Sequence, residues 1–366
     1  MADTTASAPP SAGLAESLDR LRRSSEFVVI PLLALVASAI LFGLFLLAVG
    51  KNPLTFYSLV WTGGFGTAFS WQNTLVRASP LILTALCVAI PARLGMTVIG
   101  GEGALVLGGF AAAVSAIPLV GVLPPVVVIP VMAVSAVIAG GLWIGFVGFL
   151  RHYRGINETI SSLLLTYIAY SILNFFVEGA LRDPSDPNKP STMPIGPDYM
   201  IGSIPGTSVH WGLVAGLVCA AATWVLMNRT TFGFAARITG GNVRAAMAQG
   251  LPVGRLIVIS TALAGAFAGL AGFFEVGAIH GKANASLIAG YGFTGILVSF
   301  LARHNPLAIV PVAIFLGGLA AAGGLVQRRM GLPDATVLVL QGLMFVVLLV
   351  SETLYGRFSI FKARGT

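Results

Sequence analysis

Residues 237–272 of this chain read RITGGNVRAAMAQGLPVGRLIVISTALAGAFAGLAG, and they decide how the remainder is interpreted. The first part is short, basic and amphipathic, and the second part is a long apolar run rich in alanine and glycine. Small residues of this kind let helix backbones approach one another closely in lipid. The stretch therefore predicts a membrane helix joined directly to an outer helix, which needs a partner other than its own core.

The composition of the whole chain predicts a membrane protein. Of 366 residues, 56% are hydrophobic and only 9% are charged, and the mean hydropathy is +0.92. Soluble domains carry roughly 25% charged residues, and a helix that crosses a bilayer needs about 20 apolar residues. We therefore predict an all-α fold, a polytopic membrane helical bundle of about ten transmembrane helices in the inner membrane.

The positive charges predict the orientation of the chain. The net charge is +8, but the basic residues are spread among the loops, which argues against a nucleic-acid-binding domain. Residues 229–255 contain no acidic residue and carry four of the arginines: Arg229, Arg237, Arg244 and Arg255. Because cytoplasmic loops collect positive charge, this segment is expected to be cytoplasmic.

The apolar runs divide the chain into a transmembrane domain and two tails. We expect residues 27–356 to form the membrane domain, and residues 1–26 and 357–366 to be tails on the cytoplasmic side. Residues 182–209 contain six prolines and are expected to be an external loop. Both termini are thus predicted to be cytoplasmic.

Two further segments depart from the pattern of simple spans. Residues 51–79, in which tryptophans lie among glycines, are expected to form an external segment at the membrane surface. Residues 91–103 contain a proline, an arginine and the sequence GGEG, which predict a broken or re-entrant helix. The GEG of residues 101–103 has a counterpart in the GYG of residues 290–292. Paired interruptions mark repeats in some transporters, although one short match could also arise by chance.

The sequence contains no convincing catalytic or metal-binding motif. The Gly-Lys pairs at residues 50–51 and 281–282 lack the Ser or Thr of a phosphate-binding loop. The four histidines are far apart, and the two cysteines, Cys87 and Cys219, lie in separate apolar runs. We therefore predict a protein that is not an enzyme and that holds no metal and no cofactor.

Polar residues inside apolar runs are candidates for a translocation path, because intramembrane carboxylates usually face a bundle interior or an aqueous cavity. Polar groups recur every four residues along one predicted helix, which also begins near Asn157: Glu158, Ser162, Thr166, Tyr170 and Asn174. The alternative is that these groups only join neighbouring helices. Glu102, in the predicted break, is assigned to the path or its gate, whereas helix packing is favoured for Glu275.

Two aromatic residues follow the second interruption. Tyr291 and Phe293 could stack on a heterocyclic base, and ordinary packing is the alternative for both.

The basic segment resembles the coupling segment of binding-protein-dependent ABC import permeases, in the pattern R-x-x-G-x-N-x-x-A-A-x-x-x-G with one residue of offset at the first glycine. The residues that the resemblance assigns to contact with an ATPase are Arg237, Gly241, Asn242, Arg244, Ala245, Ala246 and Gly250. Their chemistry fits this role. Asn can cap a short helix, two alanines allow close contact with a partner, and Gly can end the helix in a left-handed conformation.

Three further stretches are similar to the nucleoside branch of the branched-chain amino acid, simple sugar and nucleoside permease families. They are residues 95–108, 155–170 and 290–313. The first, GMTVIGGEGALVLG, departs from the family pattern at Thr97, where Asn is usual. The resemblance extends from about residue 75 to about residue 350.

The resemblance implies a permease subunit of an ABC importer that moves nucleosides or related small polar solutes inward. It also implies three protein partners: a cytoplasmic ATPase that binds the ATP, an external substrate-binding protein, and a second similar permease, commonly in a heterodimer. A simple sugar importer is the first alternative, and a secondary transporter driven by an ion gradient is the second. The sequence does not separate sugars, nucleosides and nucleobases as cargo.

Overall fold

A computed structural model describes residues 11–186 and 188–353 of the chain, with side chains from residue 29 onward except that of Glu352. Regular structure in this part of the chain is helical. The α-helices are α1 Ser11–Ala48, α2 Pro53–Phe65, α3 Ala68–Ala92, α4 Gly101–Ala116, α5 Pro125–Arg154, α6 Glu158–Glu178, α7 Gly212–Arg229, α8 Thr231–Gly241, α9 Val243–Ala248, α10 Val253–Phe274, α11 Tyr291–Leu301, α12 Pro306–Met330 and α13 Ala335–Glu352.

Seven helical segments are long and apolar enough to cross a membrane. They are Val29–Ala48, Ala68–Ala92, Pro125–Arg154, Glu158–Glu178, Gly212–Arg229, Val253–His280 and Pro306–Met330. Three shorter apolar segments accompany them: Gly101–Ala116, Ala285–Leu301 and Ala335–Ser351. The all-helical membrane fold is therefore confirmed, while the predicted number of about ten spans is not.

The described residues divide into two compact units. The first contains residues up to Tyr57 together with those from Met330 onward, and the second is Ser58–Arg329. In the first unit the Tyr57 hydroxyl donates to the Ala39 carbonyl at 2.5 Å, and the rings of Phe42 and Phe56 lie 5.0 Å apart. These contacts fold the start of α2 back against α1.

Two segments that the sequence assigned only by location contain helices. Helix α1 begins at Ser11, so part of the predicted tail of residues 1–26 is helical. Helices α2 and α3 cover most of residues 51–79, and the placement of this segment at the external membrane surface stays a prediction. Gly64 in α2 is a packing position, because a Cβ there would lie 2.7 Å from the carbonyl oxygen of Gly318 in α12.

The core of the second unit is built around α10, which packs against α3, α4 and α5. The small residues of LAGAFAGLAG make this possible. A Cβ on Gly265 would overlap the carbonyl oxygen of Gly140 in α5, and one on Gly272 would overlap that of Leu105 in α4. The backbones therefore touch directly, as expected for membrane helices whose association depends on close packing.

Residues 182–209 are fixed to the chain that follows α10. The Thr192 amide donates to the Ala283 carbonyl at 2.9 Å, and the Ala283 amide donates to the Thr192 hydroxyl at 3.0 Å. The Ile195 amide donates to the Gly281 carbonyl at 2.9 Å. Lys282 and Asp186 form an ion pair at 3.1 Å. The loop is thus a strap across residues 281–284.

The close contact between α10 and α5 gives a stability prediction. We expect Gly265→Leu to destabilise the protein by about 3 kcal/mol, because a large side chain cannot enter a contact between two backbones. The matched control is Gly342→Leu in α13, where a Cβ would meet nothing within 4 Å. Melting temperature and monodisperse yield in detergent measure the difference. Equal values for the two variants would contradict the packing described for α10.

The ion pair gives a prediction for the strap. The pKa of Asp186 lies below its usual range because the Lys282 ammonium donates to its carboxylate. The pair therefore persists at neutral pH and is lost only as the pH falls through that lowered pKa. We expect Asp186→Asn at neutral pH to speed hydrogen exchange at the Thr192 and Ile195 amides.

The matched control for this measurement is Asp198→Asn, in the same loop, because the Asp198 side chain is exposed. Exchange at the two amides should be unchanged in the control. A strap that exchanges at the same rate in both variants would show that the ion pair contributes nothing to its attachment.

Candidate functional site: the coupling segment and the half-helix joint

The segment assigned to ATPase contact folds into two short helices joined at Asn242. The Asn242 side chain accepts a hydrogen bond from the Ala245 amide at 3.1 Å and so caps α9. Gly250 follows α9 with φ of +77°, a left-handed conformation that favours glycine. Both local features match the reading of the sequence.

Most of this segment faces away from the remainder of the chain. The exposed residues among those assigned to ATPase contact are Arg237, Gly241, Asn242, Arg244, Ala245 and Gly250. Ala246 is different: it is 0% exposed and packs with Leu94, Met96 and Val253. The expectation that both alanines meet a partner therefore has to be corrected, because Ala246 holds α9 onto its own chain.

Two exposed apolar side chains on the same segment were missed in the sequence. Phe234 is 58% exposed and Met247 is 51% exposed. Large apolar groups in a basic, outward-facing segment are typical of a contact surface, where aromatic residues and methionine are enriched. Both residues stand among arginines in the sequence, and the interpretation of the segment did not use them.

The coupling segment packs against the break between α3 and α4. The chain leaves the α-helix at Ala92 and resumes it at Gly101, in agreement with the interruption predicted near residues 91–103. A Cβ on Gly95 would lie 3.2 Å from the carbonyl oxygen of Gly240 at the end of α8. Leu94 and Met96 add apolar contact with α8, α9 and the start of α10. The segment assigned to ATPase contact and the break are therefore in direct contact.

The free backbone of the break is bound by the start of α6. The Thr97 amide donates to the Glu158 carboxylate at 3.4 Å, and the Ile99 amide donates to the Ser162 hydroxyl at 3.1 Å. Glu158 also pairs with the Arg151 guanidinium at 3.1 Å. These side chains satisfy amides that a broken helix leaves without partners, as apolar surroundings require.

The remaining residues of the polar row lie in different surroundings. Thr166 is buried against Gly103, and its hydroxyl donates to the Ser162 carbonyl at 3.0 Å. Asn157 is exposed and caps α6 by accepting from the amides of Thr159 and Ile160. Tyr170 and Asn174 are half-buried. The lower part of the row thus joins α6 to α4 and the break, and the assignment of the row to a path stays a prediction.

Glu102 lies where the two interrupted helices meet. Its side chain is 0% exposed, and its carboxylate accepts hydrogen bonds from the backbone amides of Gly290, at 2.6 Å, and of Gly292. A Cβ on Gly292 would overlap the backbone of Glu102. A carboxylate at a helix N-terminus is stabilised by the free amides and the helix dipole. We call this contact the half-helix joint.

Helices α4 and α11 run from this joint toward opposite ends of the bundle. Beyond the end of α4, the Gly121 amide and the Leu123 carbonyl bond the hydroxyl of Tyr199, in the strapped loop. Beyond the end of α11, the His304 carbonyl lies 3.4 Å from the Arg93 guanidinium, beside the coupling segment. The short match between GEG and GYG therefore marks two half-helices whose starts touch.

The two aromatic residues of this region have different surroundings. Tyr291 is half-buried, its side chain is hydrogen-bonded to Arg77, and its carbonyl accepts from the Thr84 hydroxyl at 3.0 Å. Phe293 is 40% exposed. Of the two, Phe293 has the freer ring face.

A buried carboxylate at the end of α10 was assigned to simple packing and has a more specific environment. Glu275 is 3% exposed and lies 3.5 Å from the His280 imidazole, while its Oε1 has no hydrogen-bond partner among the described residues. The two residues meet because Glu275–His280 is a turn of π-helix, in which residues five apart are paired. No α-helical pattern in the sequence brings them together.

The described residues contain no group of three or more His, Cys, Asp or Glu side chains that could hold a metal ion.

Comparison with known proteins identifies the family. The model of the permease component of the branched-chain amino acid transport system matches residues 70–349. The glucose ABC transporter permease protein TsgB13 of Haloferax volcanii is 31% identical over 88% of this chain and 87% of its own. The guanosine ABC transporter permease protein NupP of Bacillus subtilis is 30% identical over 94% and 98%.

The nucleoside ABC transporter permease protein NupB of Lactococcus lactis is 27% identical over 82% of this chain and 84% of its own. In this family the permease works with a substrate-binding protein and an ATPase, and the ATPase binds the ATP. The chain therefore belongs to the family of branched-chain amino acid transport system permease components, and it is a multi-pass membrane subunit of an ABC importer rather than an enzyme.

Proposed function

We propose that this subunit moves nucleosides, or closely related small polar solutes, inward by alternating access. The observation that carries the coupling part of this proposal is the exposed α8–α9 segment, which packs directly on the break that begins at Arg93. An ATPase that displaces the segment would move the interior of the bundle at the same time. The nucleoside part rests on relatives that transport guanosine or nucleosides.

A sugar is the second candidate cargo, because the Haloferax volcanii glucose permease matches this chain at 31% identity. An ion-driven mechanism has less support. Two of the carboxylates that it would use, Glu102 and Glu158, are already engaged by backbone amides or by Arg151.

Two of the proposed partners are assigned different parts of this chain. The cytoplasmic ATPase contacts residues 229–255 through the exposed side chains around Asn242, and the strapped loop of residues 182–209 forms part of the face that receives the external binding protein. A second, similar permease completes the pore as a heterodimer. Relatives from Bacillus subtilis support this pairing, since NupP and NupQ are both guanosine permease proteins.

The proposed topology places both termini in the cytoplasm. The membrane domain has about ten apolar segments, in which α4 and α11 are half-spans that meet at Glu102. Arg229, Arg244 and the other arginines of the coupling segment then lie on the cytoplasmic side, as the charge rule requires.

The coupling surface is tested with Ala245→Trp in the reconstituted importer. We expect ATP hydrolysis stimulated by the loaded binding protein to fall about ten-fold, equivalent to ~1.4 kcal/mol, because the bulky ring displaces the ATPase from a flat contact. Ala221→Trp is the control, since Ala221 is an exposed residue of α7, outside the coupling segment. Normal stimulation in Ala245→Trp would exclude this surface as the ATPase contact. Ala246→Trp should instead lower the melting temperature, because Ala246 is buried.

The cargo is tested by uptake into proteoliposomes that contain the complete importer and its binding protein. We expect labelled guanosine to enter about ten times faster than labelled glucose at equal concentration, a discrimination of ~1.4 kcal/mol. Faster glucose uptake would favour the sugar alternative. Uptake of either solute by this chain alone, driven by an ion gradient, would contradict the ABC mechanism.

A further inference from the structure

The half-helix joint connects two parts of the chain that are otherwise far apart in sequence. Glu102 and Gly290 are separated by 188 residues. Glu102 lies in the first turn of α4, and its carboxylate binds the amides at the start of α11. The side chain is fully buried. A buried acceptor that loses its donors incurs the full cost of desolvation, so opening this contact is unfavourable.

The joint is tied to the coupling segment through the break. Leu94 and Met96 share an apolar cluster with Ala246 of α9. From there the chain runs through Thr97 and Ile99, whose amides are held by α6, and reaches Glu102 within three residues. Along this route the chain is held to α6 by these two hydrogen bonds.

On the opposite side the joint is tied to the strapped loop. Gly290 ends the short stretch that follows Gly281, and the carbonyls of Gly281 and Ala283 accept hydrogen bonds from the loop. Lys282 adds its ion pair with Asp186. The first amide that Glu102 binds, that of Gly290, thus follows closely in sequence on Ala283, to which the loop assigned to the binding protein is hydrogen-bonded.

We propose that Glu102 is a positioning residue of the transport cycle, which makes α4 and α11 move as one body so that displacement of the coupling segment reaches the loop of residues 182–209. This inference rests on the proposed function. It assigns Glu102 a mechanical role in place of direct contact with the cargo.

The test uses Glu102→Gln in the complete importer, with the ATPase, the binding protein and guanosine as the probe. The glutamine NH₂ donates rather than accepts, so one of the two backbone amides loses its partner. Basal ATP hydrolysis is expected to stay at the level of the unmodified complex, while stimulation by the loaded binding protein and guanosine uptake fall about ten-fold. Hydrogen exchange at residues 281–292 is expected to rise.

The matched control is Glu178→Gln, at the exposed end of α6, which should leave all four readouts unchanged. Glu102→Asp keeps both acceptor oxygens on a shorter side chain and should restore part of the stimulation. Control-level stimulation and uptake in Glu102→Gln would overturn the proposal. If the unmodified importer itself shows no uptake, the proposed function fails instead.

A measurement on the unmodified importer covers the case in which Glu102→Gln does not fold. The Gly290 and Gly292 amides should be equally protected from hydrogen exchange with ATP bound and without nucleotide. Loss of their protection in either state would show that the joint opens during the cycle, and that α4 and α11 do not move as one body.

Discussion

The free backbone amides of an interrupted membrane helix must find acceptors, and the carboxylate of Glu102 supplies them at the start of α11. A helix can stop inside an apolar bundle only where neighbouring groups replace its missing hydrogen bonds. The other interruption, between α3 and α4, meets the same requirement through Glu158 and Ser162 of α6. Three of the polar side chains predicted for a translocation path, Glu102, Glu158 and Ser162, thus bind backbone amides at the two breaks.

Close packing of small residues makes the same arrangement rigid. Helix α10 touches the backbones of α4 and α5 at Gly265 and Gly272, so a shift of one helix is passed to the next without slack. Protein interiors packed at this density transmit strain. In the mechanism proposed above, movement at Asn242 would be transmitted through these contacts.

The sequence was a good guide where structure depends on nearby residues. The helical membrane fold follows from composition, and the cap at Asn242 and the left-handed Gly250 follow from the local chemistry of Asn and Gly. The break near residues 91–103 was also predictable, because proline, glycine and charged residues interrupt an apolar run. The sequence did not assign a helix to α2, whose Gly64 packs against the backbone of α12.

Features that depend on distant parts of the chain could not be predicted. The burial of Ala246 requires Leu94 and Met96, which lie about 150 residues earlier in the sequence. The partners of Glu102 lie 188 and 190 residues later. A periodic pattern assigns a face to a residue within one helix, but it does not state which helix covers that face.

The π-turn of Glu275–His280 determines which residue at the end of this helix meets the Glu275 carboxylate. A π-turn holds one residue more than the α-helical turn it replaces, and each residue of an α-helix rotates the chain by about 100°. Loss of one residue here would rotate the end of this helix by about 100°, so His280 would no longer lie beside Glu275 and the buried carboxylate would lose this imidazole.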